Sequence, residues 1–149
     1  TLEGDLAVVG AKIRKRLMKG IPALQKLIDA VQAKAKRDGK LKGMDGRTLW
    51  VRSAHSALNL VLQSSGIIHM KKAIAMMDDA LLEAGLVRGE HYNLVLWVHD
   101  ELQFEVMEEH ADTLGKVAAS VIERAAQELG FRVPMTGSYD IGTNWSETH

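Results

Sequence analysis

Hydrophobic residues recur along this chain at two different periods, and the changes of period divide it into helices and strands. From Leu6 to about Arg37, the apolar residues Val9, Ile13, Leu17, Leu24, Leu27, Ile28 and Val31 fall at helical spacing. Gly20-Ile21-Pro22 interrupts that pattern, and proline suits the first turn of a helix, so two helices are predicted, roughly 6–19 and 22–37. Asp38-Gly39-Lys40 and Lys42 to Arg47 read as turns, with Leu41 and Thr48 to Val51 as the short strands of a hairpin. A long helix is predicted from about Ala54 to Ala84, its stripe supplied mainly by Leu58, Val61, Leu62, Ser65, Ile68, Met76, Leu81 and Leu82 and its stop by Gly85. The period then shortens to two, which predicts a second hairpin with strands near 93–98 and 102–107. Helical spacing returns from about Glu109 to Leu129 and ends at Gly130. Phe131 to Met135 reads as a final short strand, followed by an irregular tail carrying Trp145. The pattern, without internal repeats, is α+β: a small antiparallel sheet covered by long helices.

At 149 residues the chain is one domain's worth, and 46% hydrophobic content is enough for a real core. The absence of cysteine excludes disulfides and thiolate metal sites. No apolar run approaches the roughly 18 residues of a membrane span. Thr1 to Asp5 carries no signal-peptide pattern, so a cytoplasmic protein is expected, in host cytoplasm if the source is viral. The zero net charge conceals an asymmetry that changes the picture. Residues 1–52 carry 13 Lys/Arg against 5 Asp/Glu, and residues 53–149 carry 6 against 14. Such a basic end suggests a nucleic-acid contact, the alternative being a solvated helix face. Lys12, Arg14, Lys15, Arg16 and Lys19 cluster on the first helix, and the glycine-rich loop 42–47 lets backbone approach a phosphate closely.

Two constellations carry candidate chemistry. In the second hairpin, alternating apolar runs flank His99-Asp100-Glu101, so a tight connection presents adjacent carboxylates at an exposed tip. Oxygen ligands on a rigid tip suit a hard cation such as Mg²⁺. Aspartate is also favoured in turns for reasons unrelated to metals, so the triplet alone leaves both readings open. In the long helix, His55, Asn59 and Gln63 stand four residues apart and share one face. Side-chain amides there can donate to purine N3 and pyrimidine O2, minor-groove acceptors nearly independent of sequence. An ordinary solvent-facing polar stripe has the same pattern. His69, His91 and His110 lack metal-ligand spacing and read as surface or locally satisfied residues; Asp78 and Asp79 read as solvated, and the methionines as core filler.

Three blocks together resemble the C-terminal part of family A (DNA polymerase I-type) DNA polymerases, most closely the bacteriophage branch. Lys42-Gly43-Met44-Asp45-Gly46-Arg47, with Val51 to Asn59 and Gln63-Ser64, is similar to the family's palm loop and following helix. Trp97-Val98-His99-Asp100-Glu101 is similar to its motif C, and Gly142-Thr143-Asn144-Trp145 with His149 to its closing segment. The resemblance implies a motif C hairpin in a palm sheet over 41–149 and a helical fingers part over about 1–40. It implies template-directed nucleotidyl transfer from dNTP to the primer 3′-hydroxyl of a primer-template DNA, with two Mg²⁺ ions. By the same resemblance Asp100 is a metal ligand, Glu101 its acidic neighbour at the metal and of weaker individual importance, and His99 contacts the primer terminus. Asn59 and Gln63 sense minor-groove geometry, while Arg47, Arg52, His55 and Lys12 contact DNA. At His55 the wider family often has arginine.

The family's second metal-binding aspartate and its nucleotide-gripping fingers helix have no counterpart in these residues. The expectation is therefore an isolated chain that does not polymerise and needs a complementary N-terminal polymerase chain, as from a split gene, an intein-interrupted gene or an engineered fragment. Uncovered apolar helix faces would then favour self-association of the isolated piece. The competing readings are a non-catalytic DNA-binding or assembly module and, less supported by carboxylates, a metal-dependent nuclease. If residues 1–52 track phosphates, DNA affinity should fall by about 10³-fold between roughly 50 and 200 mM salt for about six phosphate contacts. Salt-independent binding in a fluorescence-anisotropy titration would remove that role.

Overall fold

The helices break where glycine or proline breaks the helical period. The computed structural model describes residues 2–148, in the order α1 (Leu2–Gly20), α2 (Pro22–Asp38), β1 (Lys40–Lys42), β2 (Thr48–Trp50), α3 (Ala57–Glu83), β3 (Tyr92–Val98), β4 (Glu101–Val106) and α4 (Ala111–Glu128). The α+β reading holds. The strands form two separate antiparallel hairpins, β1–β2 and β3–β4.

Glycines close three of the helices with left-handed caps. Gly85 (φ 85°) and Gly130 (φ 70°) each sit in a Schellman arrangement, where the next residue's N–H reaches five residues back: Leu86 to Leu81 O at 2.9 Å, Phe131 to Ala126 O at 3.0 Å. Gly39 (φ 64°) ends α2 by donating to Ala35 O.

The chain divides into two compact units at Ser64/Ser65, inside α3. In the first, Ala35 of α2, Leu41, Leu49 and Ala57 are buried together, with Val31, Val51, Ala54, Leu60 and Val61 against them. The β1–β2 hairpin buries only its central pair, Leu41 and Leu49, so Lys40, Lys42, Thr48 and Trp50 face out. Leu6, Val9, Ile13 and Leu17 of α1 form an apolar row that is half or more exposed. In the second unit, Ala73, Met77, Ala80 and Leu81 of α3 pack with Leu114, Val121 and Ala125 of α4 and with Tyr92 of β3. Leu102, Phe104 and Val106 lay the inner face of β4 on that core.

Three expectations are corrected. Phe131 to Met135 is not a strand. The Phe131 N–H is used in the α4 cap, its ring lies 5.3 Å from the His69 ring, Val133 is exposed, and Pro134 has no N–H to give a ladder. Asp78 is not merely solvated: it accepts the Tyr92 hydroxyl at 2.8 Å and the Arg88 guanidinium at 2.9 Å. The long helix begins at Ala57, and Ala54–Ser56 before it is a 3₁₀ turn. His69 is buried and satisfied, with Nε2 2.8 Å from Ile122 O, and the His91 and His110 rings meet edge to face at 5.0 Å.

Burial of the Tyr92 phenol, and then its bond to Asp78, push its pKa up to about 12. The folded state therefore holds this proton more tightly than the unfolded chain, whose tyrosines titrate near 10. The resulting stability is complete below about pH 10 and is lost as pH rises toward 12. Urea unfolding at stepped alkaline pH should show this decline, and Tyr92→Phe should flatten it. An equal decline in the Phe variant would assign it elsewhere.

Candidate functional site

A one-residue irregularity sets which side chains share a face at the hairpin end. Tyr92 pairs with Val106 and Leu94 with Phe104, but the next pairs are Leu96 with Gln103, Trp97 with Leu102 and Val98 with Glu101. Val95 is the extra residue, a bulge that exchanges the faces of β3 beyond it. Trp97 thereby joins the Phe104 and Leu102 side of the ribbon. Glu101 and Gln103 stand together on the other side, and the Gln103 amide donates to Glu101 Oε1. From Val95 to Asp100 every residue is exposed, so the hairpin end stands clear of the core that holds its root.

The turn itself is His99-Asp100, and Glu101 is the first residue of β4. His99 has φ 54°, a left-handed conformation uncommon for residues other than glycine. The Trp97 indole N–H donates to His99 O at 2.8 Å, bracing that backbone. Asp100 is exposed at the tip, while Glu101 is half-buried and also accepts the Trp145 indole N–H at 3.2 Å.

Trp145 reaches Glu101 because the tail is packed as far as this point. Gly137 lies against Ala119 so closely that a Cβ would sit 2.8 Å from its Cα. The Tyr139 ring covers Gly115, and its hydroxyl donates to Asp112 at 2.8 Å. Farther on, Glu147 accepts the Thr143 N–H at 2.7 Å and the Asn144 amide at 2.8 Å, bonds that hold its carboxyl below the usual range. These contacts join positions up to 44 residues apart, and local spacing held no signal for them.

The other predicted residues lie in the first unit. Arg47 closes the β1–β2 loop: its backbone oxygen accepts from Gly43 at 2.9 Å, and its Nε bonds Asp45 at 2.5 Å. Gly46, at φ 84°, completes that turn. Arg52 is exposed just after β2, His55 is exposed in the 3₁₀ turn, and Lys12 is exposed on α1. Asn59 and Gln63 are both exposed, one turn apart on α3. His55 precedes the regular helix, so only Asn59 and Gln63 share an α-helical face.

Carboxylates are the donors that Mg²⁺ selects, and it typically takes one or two from protein while water and substrate phosphates complete its octahedron. An exposed Asp100 beside an oriented Glu101 fits that role. Among the described residues, no cluster of three or more His, Asp or Glu is placed to hold a metal ion. The pair therefore fits as part of a ligand set.

A family model described as DNA polymerase family A matches residues 8–147. The DNA-directed DNA polymerase of Enterobacteria phage T3 is 30% identical over 157 residues, covering 94% of this chain and 22% of its own length. That of Escherichia phage Phieco32 is 31% identical over 156 residues, covering 100% of this chain and 25% of its own. The solved POL domain of Pol1 from M. smegmatis, in complex with DNA primer-template and dNTP, is similar over 78% of this chain and 22% of that chain, with a TM-score of 0.65 and 26% identity. The chain thus spans a quarter or less of the length of these proteins.

The left-handed backbone at His99 has a measurable cost. His99→Gly should leave thermal stability level or raised, and His99→Val should lie below the glycine variant by about 1–2 kcal/mol. Equal melting of the two variants would mean that the turn relaxes to another conformation.

Proposed function

This chain belongs to DNA polymerase family A, and we propose that it contributes the carboxylate hairpin and a duplex-checking helix face to template-directed nucleotidyl transfer. The observation that carries this reading is the hairpin end, where Asp100 is exposed and the adjacent Glu101 carboxylate is already oriented by two neutral donors. In the proposed assembly residues 1–40 are fingers and 41–149 palm, and the substrates are a primer-template DNA and a dNTP.

Asp100 and Glu101 would hold Mg²⁺. When bound, such ions would supply the charge that eases loss of the hydroxyl proton and offsets the charge of the leaving pyrophosphate. What this chain's residues do around that chemistry is positioning. His99, in the turn, packs against the primer terminus and is held at one backbone angle for the purpose. Asn59 and Gln63 donate amide hydrogens to purine N3 and pyrimidine O2, which occupy nearly the same places in every correctly shaped pair. A misshapen pair moves those acceptors and loses the bonds. Arg47, oriented by Asp45, contacts DNA near the nascent pair, and Arg52, His55 and Lys12 meet backbone phosphates.

Two ions around one reacting phosphate need more carboxylates than this hairpin presents. The further aspartate and the nucleotide-gripping helix are therefore supplied by polymerase sequence outside these 149 residues, on a complementary chain or a longer one. Purified chain given primed template, Mg²⁺ and dNTPs should give no extension on a sequencing gel. In the complete polymerase, Asp100→Asn should lower incorporation by about 10³-fold or more while primer-template affinity stays within about twofold. Extension by the chain alone would overturn the division of the site, and full activity of the Asn variant would favour a non-catalytic DNA-binding module.

A further inference from the structure

A glutamate on an exposed strand end has three rotatable bonds, and ordering it carries an entropic cost that some contact must offset. At Glu101 two such contacts meet at one oxygen. The Gln103 amide donates to Oε1 along the strand, and the Trp145 indole N–H donates to the same atom from the C-terminal tail at 3.2 Å. The Thr148 hydroxyl lies 3.3 Å from both Gln103 Oε1 and Trp145 O, which ties the two donors to each other. Glu147, gathering Thr143 and Asn144, closes the turn that delivers Trp145.

We propose that Trp145 is a positioning residue for Glu101, its indole N–H fixing the carboxylate so that Glu101 meets a divalent cation in one orientation. This rests on the reading of Asp100 and Glu101 as cation ligands. The chemistry of the donor is the reason to assign it that role. An indole N–H donates only, carries no charge and does not ligate metals. It orients the carboxylate without neutralising it, whereas lysine or arginine in that place would compete with the cation. A second indole braces the opposite side of the tip, through the Trp97 bond to His99 O. Asp100 thus stands between two neutral clamps, one on backbone and one on the neighbouring carboxylate.

The test uses the complete polymerase bound to primer-template, with Mn²⁺ binding counted from the EPR signal of the free ion. Trp145→Phe removes the N–H, and 3-benzothienylalanine at position 145 removes it while keeping the bicyclic ring, which guards against a packing defect. Both should weaken Mn²⁺ binding by about tenfold, the lower end of what loss of a ligand-orienting hydrogen bond costs. The Mg²⁺ concentration for half-maximal incorporation should rise in parallel, while the KM for dNTP measured at saturating Mg²⁺ stays within about twofold. Unchanged Mn²⁺ affinity in the benzothienyl variant, with Asp100→Asn still weakening it, would overturn the role of Trp145 and leave the hairpin reading intact. Unchanged affinity in Asp100→Asn and Glu101→Gln as well would overturn the hairpin reading itself.

Discussion

The β3–β4 hairpin is anchored at its root by Tyr92, and the position of every side chain toward its end follows from that anchor. The Tyr92 ring is almost wholly buried, 6.2 Å from Phe104, and its hydroxyl ends on Asp78 of α3. A buried phenol needs a hydrogen-bond partner, so Asp78 selects one seating of the strand against the helix. Once Tyr92 is seated opposite Val106, register is propagated outward along the ladder. A slip of one residue would turn every side chain to the other face. The Val95 bulge makes one such exchange at a defined place, and it is this exchange that sets Glu101 and Gln103 opposite Leu96 and Val98.

In the same unit carboxylates are oriented by two kinds of donor, charged and neutral. Asp112 pairs with Lys116 at 2.5 Å, Glu128 with Lys72 at 2.5 Å and Asp78 with Arg88, whereas Glu147 is held by the neutral Thr143 and Asn144. Glu101 accepts hydrogen bonds from the Gln103 amide and the Trp145 indole, both neutral donors. A neutral donor orients a carboxylate without cancelling its charge, as the proposed role of Glu101 requires. In the other unit, Arg47 is oriented by Asp45 in its own loop. In the proposed DNA contact, a preset guanidinium would lose less rotamer freedom than a free one.

Much of this was legible in advance because it is local. Helix stops at Gly39, Gly85 and Gly130 follow from the need for positive φ, which glycine meets without strain. The hairpin end was readable from alternation around His99-Asp100-Glu101, and the Asn59/Gln63 face from a separation of one helical turn. Two of the corrected readings share one cause, competition from a distant partner. Phe131 to Met135 has strand-like residues, but a helix cap and the His69 ring claim Phe131 first. Asp78 looked like any solvated helix aspartate, and its partners Arg88 and Tyr92 lie 10 and 14 residues away across a turn.

Local sequence is enough for most of the elements, for the helix stops at glycine, and for the chemistry of the candidate residues: carboxylates in a turn, amides on a helix, cations toward the N-terminal end. These depend on backbone sterics and on periods of 2 and 3.6 residues, which act between near neighbours. Tertiary structure decided which way the carboxylates are held. The bulge at Val95 trades one face of β3 for the other, and the tail, packed through Gly137 and Tyr139 along α4, brings Trp145 to Glu101. Contacts across 44 residues depend on how helices and strands pack in space. No period along the chain encodes them.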